Sequence, residues 1–262
     1  MKNKLSNIKK AIKYLNKNQC IGIPTETVYG LAANAYSSIA TAKIFKLKKR
    51  PQKNPLIVHY YDLKLLKKDC EVNNHFLKLY RKYSPGPISY ILKLKQDSLI
   101  SKNVTNKKST LAVRFPNHPI TRNLLKKLDY PLAAPSANIS TKISPVSKKD
   151  VQDEFGKKIS LILDGGSSKI GVESTIINLI NKPQILRLGG IPKKEINRYL
   201  KLNIRFNNRS KIKSPGQGKT HYSPYIKLRL NIKNANKNEA FILIKKRKKL
   251  AKTIFIYQKK IT

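Results

Sequence analysis

Acidic residues are scarce in this sequence. Its 262 residues include 13 Asp and Glu against 56 Lys and Arg, which gives a formal net charge of +43 at pH 7. Such a charge attracts phosphate-bearing partners, but a lysine excess spread along the whole chain is equally what a biased genome would produce. The charge therefore does not decide the function. Carboxylates retained inside motifs are more informative, and Glu26, Asp164 and Glu173 are such residues.

Cysteines and long apolar runs are also missing. Cys20 and Cys70 are the two cysteines and no C-x-x-C occurs, which excludes a disulfide framework and a four-cysteine zinc site. The sequence has no apolar run of ~18 residues that could span a membrane, and its basic N-terminal segment lacks the apolar core of a signal peptide. We therefore expect a reduced, cytoplasmic protein with no membrane partner.

Apolar periodicity predicts a mixture of helices and strands. Helices are predicted at residues 5–17, 39–48, 63–67, 74–82 and 119–128, and strands at 20–23, 55–59, 88–94, 110–115, 160–163 and 175–178. This irregular order indicates an α/β or α+β fold with helices packed on a sheet.

The periodic pattern ends near residue 203. Residues 205–225 are polar, with Gly and Pro, and are typical of a linker. Residues 226–262 contain two short apolar runs among lysines, too little to bury a core alone. We predict a main domain over 1–204, a linker over 205–225 and a short C-terminal remnant over 226–262.

Two glycine-rich segments resemble phosphate-binding loops but lack the required spacing. A P-loop ending at Gly218-Lys219-Thr220 needs a glycine at position 213, which is lysine. Residues 165–169 fail in the same way. A standard P-loop is therefore excluded.

Five other segments concentrate polar side chains, several of them next to predicted strands, where loop groups can face a ligand. They are PTETVYGL at 24–31, the cations before Pro51, STLAVR at 109–114, the loop from Pro135 to Ser144, and GVEST at 171–175 with RLGG at 187–190. Each alone also fits an ordinary structural role, such as an N-cap, a solvated helix face, a surface ion pair or a turn. Their joint order carries more information than any single segment.

Taken together, these segments resemble the YrdC-like threonylcarbamoyl-AMP synthases from about residue 5 to 225. The matching text is GIPTETVYGLAANA, KLKKRPQKNPLIVH, SPGPIS, STLAVRFPNHP, AAPSANIS and GVESTI. The resemblance implies a twisted mixed sheet with flanking helices around an open cavity. SPGQGKTHYSP is similar to the linker of the longer subtype, whose second domain would here be truncated. Ser84, Asn117 and Gln217 depart from the family pattern without touching an implied ligand contact.

The resemblance also implies a reaction. L-threonine, bicarbonate and ATP would give threonylcarbamoyl-AMP and pyrophosphate, with Mg²⁺ carried on ATP and no tightly bound cofactor. The product would pass to the tRNA-modifying threonylcarbamoyl transferase machinery. No protein nucleophile is required, which agrees with a sequence in which no Ser-His or Cys-His pair can be argued.

Matching positions to the family pattern implies two sets of binding residues. The threonine set is Thr27, His59, Arg114, the Ala134 backbone and Ser174. The ATP set is Lys48, Arg50, Asn54, Thr110, Ser136, Asn138, Ser144, Arg187 and Tyr222. Because Tyr222 lies in the linker, the resemblance also implies that the linker closes over the cavity and excludes water.

Two alternatives come from other classes of protein. An RNA-binding protein for double-stranded RNA or tRNA, without catalysis, would account for the charge but not for Glu26, Glu173 and His59 in their motifs. We expect only weak, nonspecific RNA binding. The second alternative is a carbamoyl-phosphate-handling domain of a hydrogenase-maturation enzyme, against which the lack of zinc-finger cysteines counts.

Overall fold

The computed structural model of the chain describes residues 2–206, 241–243 and 254–256, with side chains over 7–206. The chain divides into two units, Met1–Ser223 and Pro224–Thr262. In the second unit, two strands pair in parallel, Phe241–Leu243 and Ile254–Ile256. All side chains discussed below belong to the first unit.

Most helices of the first unit follow a polar N-cap residue and bury apolar side chains. They are α1 (Lys2–Asn16), α2 (Ser38–Lys48), α3 (Leu63–Asp69), α4 (Asn74–Tyr83), α5 (Lys102–Thr105), α6 (Pro119–Lys126), α7 (Lys148–Phe155) and α8 (Lys193–Leu200), with a 3₁₀ turn at Gly156–Lys158. Side-chain caps are made, for example, by Ser37 on α2 and Asp62 on α3, which satisfy N–H groups that a helix start leaves free. None of the helices in this described part is long and apolar enough to cross a membrane.

The strands form one mixed sheet. They are β1 (Ile21–Ile23), β2 (Gly30–Asn34), β3 (Ile57–His59), β4 (Ile88–Lys93), β5 (Thr110–Arg114), β6 (Leu132–Ala133), β7 (Thr175–Asn178), β8 (Gln184–Arg187) and β9 (Arg205–Phe206). Their spatial order is β1-β2-β6-β3-β5-β4-β7-β8-β9. The pairs β3/β5, β4/β7 and β8/β9 are parallel and the others antiparallel. The predicted mixed sheet with flanking helices is confirmed.

The two faces of the sheet carry different residues, because side chains alternate along a strand. One face contributes Val58, Tyr90 and Val113 to the largest apolar cluster. The other face carries a small cluster of Ile57, Ile91, Ala112, Ile176 and Leu186. This second face continues into a polar row, which is where the candidate site lies.

The register of the sheet builds that polar row. His59 pairs with Arg114 across the parallel strands β3 and β5, and Ser89 of β4 pairs with Arg114 from the other side. Each residue lies two positions from a member of the small apolar cluster and on the same face. The carboxyl ends of β3 and β5 therefore bring an imidazole and a guanidinium together.

The strand predicted at 160–163 is wrong. Only Ile162 makes a bridge there, to Gly22. A Cβ on Gly22 would lie 2.9 Å from Ile162 Cγ2, so the contact depends on glycine. Gly165 and Gly166 follow immediately, and Gly166 has a positive φ of 72°, so the chain turns before a strand can extend. Other predicted elements lie within a few residues of those observed.

Candidate active site

A pocket opens where β3 and β5 end. Its lining includes seven of the residues implied by the sequence: His59, Arg114, Ala134 and Ser174 from the threonine set, and Arg50, Ser136 and Arg187 from the ATP set. The remaining lining residues are Thr25, Val28, Tyr29, Gly30, Ile57, Pro135 and Glu173. Residues far apart in sequence thus share one cavity.

Arg114 is held by a buried carboxylate. Its Nη2 donates to Glu26 Oε1 at 2.7 Å, and Glu26 Oε2 accepts the backbone N–H of Asn117 at 2.8 Å. Burial raises the pKa of Glu26, but the charge and hydrogen bond of Arg114 and the Asn117 N–H outweigh it and hold that pKa below its usual value. Glu26 is therefore ionised near neutral pH and fixes one side of the guanidinium.

His59 is a neutral imidazole. It is 2 % exposed, and burial together with the charge of Arg114 lowers its pKa well below 6.5. Its Nδ1 has no hydrogen-bond partner. The ring can therefore offer a ligand a hydrogen bond without adding a second positive charge beside Arg114.

Arg187 is held by a second buried carboxylate. Its Nη1 donates to Glu173 Oε2 at 2.5 Å, its Nε to the Ser174 carbonyl at 3.0 Å and its Nη2 to Ser174 Oγ at 3.0 Å. Ser144 Oγ donates to Glu173 Oε1 at 3.0 Å, and Ser89 Oγ lies 2.8 Å from Ser174 Oγ. Glu173 and Ser174 are thus the centre of a polar network beside the pocket.

Gly189 allows this network to form. A Cβ at that position would lie 2.2 Å from the Glu173 carbonyl oxygen and 2.4 Å from the Ser174 carbonyl carbon. The backbone after β8 therefore packs directly on the backbone before β7, an approach that no larger residue permits.

Lys48 lies behind the pocket. Its ammonium is buried, and Nζ donates to the carbonyl oxygens of Ser136 and Asn138. Burial, together with the nearby charge of Arg50, lowers the pKa of Lys48 to about 7. Lys48 therefore contacts the loop that carries Ser136 and is not among the residues lining the cavity.

Unpartnered polar atoms cluster around this site. Within residues 7–206, five buried side-chain atoms lack a hydrogen-bond partner: Asn54 Oδ1, His59 Nδ1, Arg114 Nε, Asn138 Oδ1 and Ser140 Oγ. Folded proteins leave few buried polar groups unsatisfied, so each needs an explanation. Four of the five belong to implied binding residues, and Ser140 belongs to the same loop as Asn138. His59 and Arg114 line the pocket, so their unpartnered nitrogens are available to a polar ligand there.

Six implied residues of the described part do not line the cavity. Thr27 is buried beside Thr25, with 2.9 Å between their hydroxyl oxygens. Ser144 is bound to Glu173, and Thr110 begins β5 two positions before Ala112 on the site face. The others are Lys48, Asn54 and Asn138. Tyr222 lies outside the described residues, so its contact stays a prediction.

Reasoning from the sequence missed the partners of the two arginines. Glu26 and Glu173 stood out as rare carboxylates, but nothing in the sequence paired Glu26 with Arg114, 88 positions away. Ser89 was also missed, although it lies in the SPGPIS segment. Its signal was a single polar residue in a strand whose neighbours are all apolar.

The described residues contain no group of three His, Cys, Asp or Glu side chains that could hold a metal ion. The pocket offers guanidinium groups, hydroxyls and one neutral imidazole. These groups suit a small polar ligand with more than one anionic centre. The fold and the site therefore define an α/β protein with a polar pocket at strand ends that suits a small anionic molecule.

Comparison with known protein families identifies the family of this chain. A model of the Sua5, YciO and YrdC family, described as "Telomere recombination", matches residues 13–189, and the chain belongs to this family. A second model, "Threonylcarbamoyl-AMP synthase, C-terminal domain", matches residues 191–261. That match begins inside the first unit, which extends to Ser223. The predicted boundaries at 204 and 225 stay predictions.

Individual relatives are similar over most of this chain. The chain is 38% identical over 226 residues to the threonylcarbamoyl-AMP synthase of Pyrococcus abyssi, covering 83% of this chain and 65% of the relative. It is 39% identical over 224 residues to that of Bacillus subtilis, covering 83% and 64%. A crystal structure of P. abyssi Sua5 complexed with L-threonine superposes with a TM-score of 0.86 and 31% identity, over 97% of this chain and 81% of that chain. The chain thus spans just under two thirds of the length of the two curated relatives.

Proposed function

We propose that the chain is an L-threonylcarbamoyladenylate synthase, a nucleotidyltransferase that makes threonylcarbamoyl-AMP and pyrophosphate from L-threonine, bicarbonate and ATP. The observation that carries the proposal is the cluster of unpartnered buried atoms, four of which lie on residues implied for threonine or ATP. The P. abyssi and B. subtilis relatives are named threonylcarbamoyl-AMP synthases, which supports the same activity.

Threonine would occupy the end of the pocket formed by β3 and β5. The unpartnered Nε of Arg114 suits its carboxylate. The neutral imidazole of His59 and the hydroxyl of Ser174 suit its amine and hydroxyl. The Ala134 backbone and Thr27 complete the proposed set.

The reaction then needs no covalent bond to the protein. The threonine ammonium loses a proton, and its nitrogen bonds to the bicarbonate carbon as water leaves, which yields a carbamate. A carbamate oxygen next bonds to the α-phosphorus of ATP, while the bond from that phosphorus to the oxygen bridging the β-phosphorus breaks and pyrophosphate departs. The protein contributes orientation and charge neutralisation.

ATP would lie toward Arg50, Ser136 and Arg187, which line the other part of the pocket. Asn54, Thr110, Asn138 and Ser144 belong to the proposed set as neighbours of that lining, and Tyr222 as a residue of the linker. Mg²⁺ would arrive on the phosphates as part of the substrate.

The partners follow from the product. Threonylcarbamoyl-AMP is a mixed anhydride that hydrolyses, so an acceptor must consume it before water does. The family resemblance implies that this step belongs to a threonylcarbamoyl transferase acting on tRNA, and a cytoplasmic location is part of the same proposal. RNA binding of the chain itself would be weak, insensitive to sequence and lost with salt. Catalysis-free RNA recognition is not favoured, because it leaves the buried pocket groups without a ligand.

Measuring pyrophosphate release by the full chain tests the proposal. Release should require ATP, threonine and bicarbonate together, and mass spectrometry should detect threonylcarbamoyl-AMP. Serine in place of threonine serves as a matched control for the substrate methyl group. Pyrophosphate release that proceeds without threonine, or that requires carbamoyl phosphate, would contradict the assignment.

A further inference from the structure

Lys48 is tied to the loop after β6 by three hydrogen bonds. Its Nζ donates to the carbonyl oxygens of Ser136 and Asn138, and its own carbonyl oxygen accepts the N–H of Ser140 at 2.9 Å. The loop is about 90 positions further along the chain. The end of α2 therefore holds a distant loop through both its side chain and its backbone.

The Lys48 ammonium is buried and donates to the two loop carbonyls. The residue is 1 % exposed, and no ion pair joins it to a carboxylate among the described residues. A buried ammonium without a carboxylate depends on dipoles such as carbonyl groups for its solvation. The two carbonyls must therefore stay turned toward Lys48 while the amine is charged.

The other side of the same loop is tied to β2 and the residue before it. The Leu31 N–H donates to the Pro135 carbonyl oxygen at 2.8 Å, and the Ala137 N–H donates to the Tyr29 carbonyl oxygen at 2.8 Å. The loop is thus clamped between β2 and Lys48. These contacts hold Pro135 and Ser136 at the pocket that they line.

We propose that Lys48 is a positioning residue, whose ammonium fixes the Ser136 to Asn138 loop and does not bind the substrate phosphates. The inference rests on the proposed function for its activity readout. The family resemblance instead implies that Lys48 binds ATP directly. In the present proposal Lys48 acts on ATP only through the loop that carries Ser136. A fixed loop presents the Ser136 hydroxyl and the unpartnered Asn138 Oδ1 in one orientation.

A double-mutant cycle separates the two roles. Lys48→Met keeps the length of the side chain and removes both hydrogen bonds to the loop. If Lys48 acts through the loop, Lys48→Met should lower kcat/KM roughly 100-fold, the effect of misplacing a binding group by ~1 Å. Adding Ser136→Ala to Lys48→Met should then cost almost nothing more, because the loop is already displaced.

The contrary outcome is equally clear. If the two substitutions multiply their effects on kcat/KM, Lys48 acts independently of the loop and the proposal is wrong. Lys78→Met, on the exposed side of α4, is the matched control and should leave kcat and KM unchanged. Circular dichroism should verify that each variant is folded.

A wild-type measurement keeps the test valid if Lys48→Met does not fold. In a crystal structure with a non-hydrolysable ATP analogue, Lys48 Nζ should remain on the two carbonyl oxygens, with no phosphate oxygen within hydrogen-bond distance. A phosphate contact by Nζ would overturn the proposal. This test is independent of catalysis, so a chain that binds the analogue but makes no threonylcarbamoyl-AMP would refute the proposed function alone.

Discussion

Two buried arginine–glutamate pairs flank the pocket, and they differ in how completely the arginine is bound. Arg114 gives Nη2 to Glu26 at 2.7 Å and keeps a buried Nε without a partner. Arg187 gives Nη1 to Glu173, and its Nε and Nη2 both bind Ser174. The same kind of ion pair therefore leaves a donor for a ligand on Arg114, whereas on Arg187 it belongs to a network that holds Ser174.

This difference assigns distinct tasks to the two pairs. An arginine with a spare donor in a buried site gains the most from a ligand carboxylate, because an unmade hydrogen bond is costly there. In Arg187 each of the three side-chain nitrogens already donates to Glu173 or Ser174, so this arginine fixes its neighbours, among them the hydroxyl of Ser174. Substitutions at the Arg114 pair should therefore affect one ligand selectively, and substitutions at the Arg187 pair should affect both.

The largest effect is expected for Arg114→Ala. The variant removes a desolvated, charge-assisted contact to the threonine carboxylate, and threonine affinity should fall by ~2–4 kcal/mol. ATP affinity should stay within about threefold of wild type. Calorimetric titration of each ligand measures both values.

Stability must be separated from binding in this variant. Removing Arg114 leaves Glu26 as a buried carboxylate without its cation, which itself destabilises the fold. The double variant Arg114→Ala with Glu26→Ala removes both charges and should recover stability but not threonine affinity. Unchanged threonine affinity in a folded variant would show that Arg114 does not bind this substrate.

The second effect concerns Glu173→Gln. Without its charge, Arg187 and Ser144 lose the group that orders them, so the affinities for ATP and threonine should both fall, each by about tenfold. The matched control is Glu71→Gln, which breaks the exposed ion pair with Lys93, whose side chains are 59% and 52% exposed. That pair should contribute less than ~1 kcal/mol. If Glu173→Gln lowered the affinity for only one of the two ligands, Glu173 would not order the residues that bind both.

Much of the fold was predictable from local sequence, and the pairing of charges was not. β3 and β5 stand out as apolar runs, and their ends carry His59 and Arg114, so a site at strand ends could be predicted. β2 was missed because GLAAN contains no β-branched or aromatic residue. β6 was missed because it is only two residues long.

Side-chain direction explains the remaining errors about the site. In the sequence, Lys48 is one of several cations before Pro51 and is indistinguishable from its neighbours. In the structure it is the last residue of α2 and faces inward, whereas Lys46 and Lys49 are exposed. Helix phase and tertiary packing decide which cation is buried. The partners of Arg114 and Arg187 depend in the same way on contacts across the fold.

The third effect is a dependence of the free energy of unfolding on pH, caused by His59 beside Arg114. His59 has a folded pKa well below 6.5, whereas in the unfolded chain it titrates near 6.5. Below that pH the unfolded state binds a proton that the folded state does not, so the free energy of unfolding should decrease as pH falls, by at most ~1.4 kcal/mol per pH unit. Above about pH 7 this dependence should vanish.

Urea unfolding of wild type and His59→Gln between pH 5 and 8 measures this contribution. The neutral variant should lose the decrease attributed to His59, while His118, whose pKa burial also lowers, contributes equally to both proteins. Because Arg114 adds to the lowering, Arg114→Ala should show a weaker dependence than wild type. Identical pH dependence in wild type and His59→Gln would show that the buried imidazole is not held neutral.

The smallest effect is expected for Ser89→Ala. This variant tests whether the hydrogen bonds around Arg187 and Ser174 also contribute to threonine binding. Ser174 Oγ lies 2.8 Å from Ser89 Oγ and accepts from Arg187 Nη2. If Ser89 also donates to it, the proton of Ser174 is left for the ligand. Removing Ser89 frees the Ser174 hydroxyl to turn, so threonine affinity should fall by about 0.5–1.5 kcal/mol.

A control with the same chemistry sharpens this last test. Ser84 Oγ makes a hydrogen bond of the same length, 2.8 Å, to Tyr90 OH, but Tyr90 belongs to the apolar face of the sheet that is turned away from the pocket. Ser84→Ala should therefore lower stability by a similar amount and leave threonine affinity unchanged. Equal losses of threonine affinity in both variants would mean that the effect is general destabilisation. If Ser89→Ala lowered ATP affinity and left threonine affinity unchanged, Ser174 would bind the nucleotide and not threonine. Ser174 would then have to be moved from the threonine set to the ATP set.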